Sequence, residues 1–304
     1  MTAPFTLTRH RAAGGSLRAA IRRDGALYDA AGLLGDPALA EIPALLERLA
    51  SLADAILTAR GTPLPPQRPE VPVPGSVALF CAAANFSDHM LAMAAKLGIQ
   101  PEPDPRTLDV KPYHFLKPAR QCLAPDGASI ALPTHAALID WEVELAAVIG
   151  RPARNVSPAR ALDHVAGYLV ANDLSARDRG LMKRVNVPDG SLFRTDFIGM
   201  KAFDGACPVS TDIVPAAFVP DPQALEMDLS VNGTERQHSS TARMIFTVAE
   251  QIAQLSTRLT LMPGDLVLTG TPAGTGAESD TFLKAGDVIT CRIGGIGTLT
   301  TRIG

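Results

Sequence analysis

The sequence predicts an α+β protein rich in strands, with a small α/β unit at its N-terminus. Three observations carry that reading. Glycine and proline are frequent, 25 of each in 304 residues, and so many breaks exclude a long-helix bundle or coiled coil and favour short strands joined by turns. Apolar runs of strand length recur between turn signals from residue 76 onward. Amphipathic helical periodicity is read near residues 42–57 and 243–259, between and beyond which strand-like runs prevail. The length corresponds to about two domains of roughly 150 residues each. With 46% hydrophobic and 19% charged residues and a formal net charge of -3, the composition is that of a globular protein with no basic excess to hold nucleic acid or an anionic membrane.

Residues 1–60 read as the small N-terminal unit. Strand-like pieces at Leu17–Ile21 and Ala26–Tyr28 precede a helix in which Ile42, Leu45, Leu46, Leu49, Leu52, Ile56 and Leu57 define one apolar face. Residues 61–75 are rich in proline, which fixes φ and removes backbone donors, so an extended linker is expected there. The main domain then spans 76–304. Ser76–Ala84 reads as a buried strand and Phe86–Leu97 as the helix after it. Residues 98–113 mix prolines with charges and read as an exposed loop, the kind that serves as a lid or binding loop. Strands are expected at 139–149 and 165–172 and an amphipathic helix at Arg243–Leu259. In the last 45 residues, turns at Pro263-Gly264-Asp265, Ala285-Gly286-Asp287 and Gly294–Gly297 separate β-type runs as hairpins would. Cys81, Cys122, Cys207 and Cys291 are widely spaced and predict reduced thiols. No secretory signal and no run of roughly 18 apolar residues is present, so a cytoplasmic protein is expected.

The chemistry concentrates in two segments. In Asp140-Trp-Glu142-Val-Glu144, a strand places Glu142 and Glu144 on one face, about 7 Å apart along the chain. Such a pair needs cations, solvent or a metal ion if buried; the alternative is a polar strand face open to water. In Asn172-Asp173-Leu-Ser-Ala-Arg177-Asp178 an apolar strand runs into a polar cluster, and Asp173 offers a third carboxylate, unless the Asn-Asp pair is a helix cap or turn. Three carboxylates without histidine or thiolate suit a hard cation such as Mg²⁺ or Mn²⁺. Gly270–Gly276 is glycine-rich but lacks the Gly-Lys-Ser/Thr ending of a phosphate loop. Asn232-Gly233 between strand-like runs predicts a hairpin turn. His10, His135, His164 and His238 show no ligand spacing.

Over residues 76–304 the sequence resembles the fumarylacetoacetate hydrolase family. The resemblance rests on Asn85-Phe-Ser-Asp-His89, Phe115-Leu-Lys117-Pro118, Asp140-Trp-Glu142-Val-Glu144-Leu, Asn172-Asp173-Leu-Ser-Ala-Arg177-Asp178, Met200-Lys201-Ala-Phe-Asp204, Val231-Asn-Gly233 and Pro263-Gly-Asp265-Leu-Val-Leu-Thr269-Gly-Thr271-Pro272, in that order. It implies a mixed β-roll or β-sandwich catalytic domain, usually a homodimer, with one Mg²⁺ or Mn²⁺ per subunit. By position, Glu142, Glu144 and Asp173 are then its ligands, Lys201 the cationic catalytic residue, His89 the water-activating base on a mobile segment, and Arg177, Thr271 and Lys117 substrate-binding residues.

Two departures stand out. Where the family commonly carries a glutamate three residues after the histidine, this chain has Ala92; Glu102, Asp104 and His114 in the long loop are the candidates to orient His89 instead. Where the pattern after Asn-Asp usually ends in a glutamine, this chain has Gly180. The expected activity is hydrolysis of a C–C bond in a diketo acid of the acylpyruvate or fumarylpyruvate type, in catabolism of an aromatic or related compound. The alternatives are a keto–enol isomerase or oxaloacetate-type decarboxylase on the same metal site, or a non-catalytic binder of metal and 2-oxo acid.

Overall fold

The computed structural model describes residues 3–182, 187–188, 191 and 195–304. Strands β1 (Phe5–Arg11), β2 (Leu17–Arg23) and β3 (Ala26–Asp29) lead into helices α1 (Ala30–Leu34) and α2 (Ile42–Thr58). An irregular stretch reaches β4 (Leu79–Ala82), α3 (Ser87–Leu97), β5 (His114–Lys117) and α4 (Ala119–Cys122), followed by the short strands β6 (Leu123–Ala124), β7 (Ser129–Ile130) and β8 (Ile139–Asp140). Strands β9 (Val143–Ile149) and β10 (Val165–Asn172) flank α5 (Pro158–Ala161). Next come β11 (Ser175–Ala176), α6 (Arg179–Met182), α7 (Phe197–Lys201), β12 (Cys207–Pro208), β13 (Val214–Pro215), β14 (Glu226–Val231) and β15 (Thr234–Ser240). The chain ends with α8 (Val248–Arg258), β16 (Leu266–Leu268), α9 (Gly276–Ser279), β17 (Val288–Ile293) and β18 (Gly297–Ile303).

A six-stranded sheet in the order β13-β10-β9-β16-β4-β5 forms the centre, and a five-stranded sheet in the order β15-β14-β17-β18-β7 packs on one side of it. Strand alternation sorts the side chains of β9 between two cores. Val143, Leu145, Ala147 and Ile149 join Met227, Leu229, Ile289, Cys291 and Leu299 of the second sheet. Ala146 and Val148 join Phe5, Leu7, Ile21, Leu45, Leu46, Leu49 and Ile56 of the N-terminal segment. The central sheet is therefore buried on both faces, which explains why β9 and β10 read as continuous apolar runs.

The stripe of α2 is core at Ile42, Leu45, Leu46, Leu49 and Ile56, whereas Leu57 at its end is 43% exposed. Residues 61–75 carry no helix or strand, yet they are tied to the N-terminal sheet: Leu64 N–H donates to Leu27 O and the Arg9 side chain to Val71 O. All four cysteines are buried and free of disulfides.

Two expectations are corrected. The amphipathic helix begins at Val248, not Arg243, because Thr247 and Glu250 form a capping box and Asn85 holds the Phe246 backbone N–H and C=O outside the helix. Of the three proposed C-terminal hairpins only Gly294–Gly297 is one, joining β17 to β18; the turn before β16 delivers it between β4 and β9, and β17 pairs with β14 and β18. Asn232-Gly233 does close the β14–β15 hairpin, with φ of 52° and 77°, the left-handed pair that the tight hairpin turn demands.

Because the N-terminal helix and the central sheet share one core, Leu45→Ala is expected to cost about 2–5 kcal/mol. It should lower the denaturation midpoint reported by Trp141 fluorescence in the opposite core, in one transition. A midpoint unchanged at Trp141 would mean that the two cores unfold independently.

Candidate metal centre

The register of β9 against β10 creates the site. Ala171 lies opposite Glu144 and Asn172 opposite Val143, and the pairing extends one step further as Asp173 N–H donates to Glu142 O at 2.9 Å. Alternation puts Asp173 on the face of Leu169 and Ala171, and Glu144 on the face of Ala146 and Val148. Glu142 lies just ahead of β9 and is fixed by Asn172, whose side-chain oxygen accepts its N–H at 2.9 Å. Asn172 thus ties two strand ends together and caps no helix. The three carboxylates converge, with one oxygen from each of Glu142, Glu144 and Asp173 within 4.8 Å of the others. All three side chains are buried, so the solvent-facing alternative does not hold for this strand end.

Cations and backbone amides offset this charge. Lys201 Nζ donates to Glu142 Oε2 at 2.9 Å, Asp173 Oδ2 at 2.8 Å and Ser175 Oγ at 2.7 Å. Arg177 bridges Asp140 and Glu142. For Glu142 burial acts upward, but Lys201 and Arg177 prevail and hold its carboxyl down to about 2. For Glu144 burial comes first, and Asp173 and Glu142 add repulsion, so its pKa rises well above the carboxylate range. Burial acts downward on Lys201, yet Asp173 and Glu142 raise it, so it stays an ammonium.

Lys117 is fully buried, and its Nζ donates to Asp173 Oδ1, Leu174 O and Ala206 O. Its side chain is 0% exposed, against 11% for Lys201, and two of its three donors are held by backbone carbonyls, so it has no open face to offer a substrate. Its expected substrate contact is therefore replaced by a place behind Asp173, with its charge retained by that carboxylate against the cost of burial. The Thr271 hydroxyl donates to Val143 O and accepts from Gln237 Nε2, so its side chain is likewise engaged within the fold.

The glycine-rich loop is a second organiser. The N–H of Gly270 donates to Glu144, that of Gly274 to Glu278 and that of Gly276 to Asp140. Gly274 has φ +99°, and a Cβ there would stand 2.0 Å from Arg236 O, which no other residue tolerates. Three amides of one short loop thus serve three carboxylates.

His89 on α3 shares a hydrogen bond through Nδ1 with Glu278 Oε1 at 2.5 Å. None of the three loop residues expected to orient it faces it. Asp104 caps the turn at Arg106, His114 pairs with Gln251, and Glu102 lines a cleft of about 580 Å³ between α3 and the 98–113 loop. That loop is fastened by Arg106, which bonds Glu250 and lies over the Phe246 ring. Glu278 was missed because its partner is 189 positions away, and an isolated glutamate after a glycine-rich loop carries no local signal. Asp140, a motif residue with no role assigned by the sequence, accepts the N–H groups of Trp141, Gly276 and Ala277 besides the Arg177 guanidinium. At Gly180 a Cβ would meet nothing within 4 Å. Among the described residues, one other group could offer metal ligands, Asp228, Glu235 and His238, but it lies on the outer hairpin and Arg292 already pairs with Asp228.

Comparison with known proteins agrees with this geometry. The family model for the fumarylacetoacetate (FAA) hydrolase C-terminal domain matches residues 78–304. The mitochondrial oxaloacetate tautomerase fahd2 of Xenopus laevis is 36% identical over 76% of this chain and 67% of its own. The crystal structure of a fumarylpyruvate hydrolase from Pseudomonas aeruginosa, in complex with Mn²⁺ and pyruvate, superposes with a TM-score of 0.61 at 29% identity, covering 79% of this chain and 97% of that one. A 5-carboxymethyl-2-hydroxymuconate delta-isomerase from Mycobacterium smegmatis covers 98% of both chains with a TM-score of 0.69 at 28% identity. With matching motifs, sheets and family model over three quarters of its length, the chain belongs to the fumarylacetoacetate hydrolase family.

Proposed function

We propose that the protein is a divalent-cation-dependent hydrolase of 1,3-diketo acids of the acylpyruvate type. The observation that carries this reading is the convergence of Glu142, Glu144 and Asp173, with the Lys201 ammonium bonded to Glu142 and Asp173. An all-oxygen, buried donor set fits Mg²⁺ or Mn²⁺, and these three residues would hold it. The Mn²⁺–pyruvate complex of the Pseudomonas aeruginosa relative supports the assignment. When bound, the cation supplies Lewis acidity toward the oxygens of a 2-oxo acid.

The protein's own groups account for the rest. His89 takes a proton from a water that attacks the acyl carbonyl. The bond between the acyl carbon and the methylene breaks, its electron pair passing into the pyruvate enolate, which is then protonated at carbon to give pyruvate and a carboxylic acid. Lys201, kept protonated by Asp173 and Glu142, is suited to stabilise the enolate and unsuited to act as a base or amine nucleophile. Arg177 and Lys117 hold Glu142 and Asp173 in place from behind. A second reading, keto–enol isomerisation of a 2-oxo acid, uses the same carboxylates and Lys201 without water, and Ala92 favours it by removing the usual partner of His89 from α3.

Glu144→Ala should weaken Mn²⁺ binding by at least ~100-fold in calorimetric titration. Unchanged metal content would remove Glu144 from the ligand set. Lys201→Met should retain folding and lower kcat by roughly 100- to 1000-fold. With Mn²⁺ and an acylpyruvate, diketone absorbance should fall as pyruvate accumulates in equal amount. Enol loss without pyruvate, or carbon dioxide from oxaloacetate, would instead select isomerase or decarboxylase, and silence on every substrate would indicate a binding protein.

A further inference from the structure

We propose that the cleft between the N-terminal sheet and the 76–304 domain is a binding site for a small oxyanion, a carboxylate or a phosphate, anchored on Arg9. None of Glu142, Glu144, Asp173 or Lys201 lines this cleft, so the site is independent of the reaction assigned to the metal centre. It originates in the pattern of β1. Alternation places Arg9 on the face of Phe5 and Leu7, both core residues, and opposite Ala19, which is fully buried. A cation thus stands where the strand calls for an apolar side chain. Its Nε donates to Val71 O at 2.7 Å, the one hydrogen bond its side chain makes among the described residues. Burial weighs against the Arg9 charge by more than Glu70 and Glu41 restore, and Glu70 is itself paired with Arg11 at 2.8 Å. A partly buried guanidinium without a carboxylate of its own is costly unless something else supplies the negative charge.

Arg9 lines a cleft of about 540 Å³, a volume within the range of small-ligand sites, which favour junctions between units of a chain. The proline-rich stretch, carrying the exposed Arg68, makes one wall, and the segment from Ser210 to Asp212 makes another; the β17–β18 turn closes it at Thr298. Charge selects the ligand. Arg9, Arg22 and Arg68 line the cleft against Asp126 and Asp212, and both acids are already engaged. Asp212 pairs with Arg22 at 2.9 Å, and Asp126 accepts the Thr300 N–H at 2.7 Å. Arg9 and Arg68 are left as cations with no ion pair among the described residues. With Nε committed, the two η nitrogens of Arg9 still offer a planar set of donors, a geometry that matches two oxygens of a carboxylate or phosphate. The walls need no ordering to receive the anion: Leu7 and Ile213 exchange backbone hydrogen bonds at 3.0 and 2.7 Å, and the Thr8 hydroxyl donates to Thr211 O at 2.7 Å. A cleft built in advance gives up little freedom on binding.

The test is calorimetric titration of the full-length protein, with Mg²⁺ present, by inorganic phosphate and separately by succinate, in wild-type, Arg9→Gln, Arg68→Gln and Thr298→Glu forms. The wild type should take one anion per chain, and Arg9→Gln should raise its Kd by roughly 10- to 100-fold. Thr298→Glu, which sets a carboxylate into the cleft from an exposed position, should do the same, and Arg68→Gln should weaken binding less. Saturating anion should raise the thermal midpoint of the wild type and leave that of Arg9→Gln where it was. Binding of phosphate alone, or of succinate alone, supports the site and identifies its oxyanion. If Arg9→Gln fails to fold, the two variants at exposed positions carry the comparison. No binding of either anion would overturn the proposal. So would an affinity that is the same in every form, which would put the anion elsewhere, at the metal centre.

Discussion

Burying four carboxylates at one sheet end is the constraint on which the rest of the structure depends. Asp140, Glu142, Glu144 and Asp173 all lie out of water, where an unpaired charge costs several kcal/mol. Three fixed cations, Lys117, Arg177 and Lys201, oppose them. Among the described residues four carboxylates meet three bonded cations, and the strain falls on Glu144, the one of the four with no cation bonded to it there and the one whose pKa is driven well up. Its hydrogen-bond donor among the described residues is the backbone N–H of Gly270. The arrangement is costly for a fold and favourable for a site that must attract positive charge.

The fold explains how this cluster is reached. The two faces of the central sheet are covered by different layers, the five-stranded sheet on one and the N-terminal segment on the other. The carboxylates share the parity of the second face and emerge where β9 and β10 run out. An apolar strand that changes to polar residues at its end, without changing face, converts a packing surface into a reactive one over two residues.

Much of this was legible in the sequence. The spacing of Glu142 and Glu144 and the apolar-to-polar switch at Asn172-Asp173 are local signals; β10 stands where it was expected, whereas the strand expected at 139–149 is broken at Trp141-Glu142 into β8 and β9, so that Glu142 reaches the cluster from just outside the strand. Strand pairing carries Asp173 to Glu142, which periodicity alone does not reveal; the family resemblance did. What stayed hidden depends on contacts across long stretches of chain. Lys117 reads as a free cation until its three acceptors, all 56 or more positions away, are in view. The partner of His89 lies 189 positions away, beyond the reach of any local signal. Arg243–Ile245 continues the helical pattern of α8, but Asn85 claims the adjoining backbone of Phe246 and the pattern is overridden.

The glycine loop bears on how such a protein diverges from its relatives. Its contribution to the site is made by main-chain N–H groups, and at Gly274 no side chain is tolerated at all. Parts built this way have no side-chain vocabulary with which to vary. Whatever distinguishes one relative's reaction from another's must then be written in neighbouring elements that present side chains, α3 among them, where a substitution leaves the main-chain frame that holds the charge undisturbed.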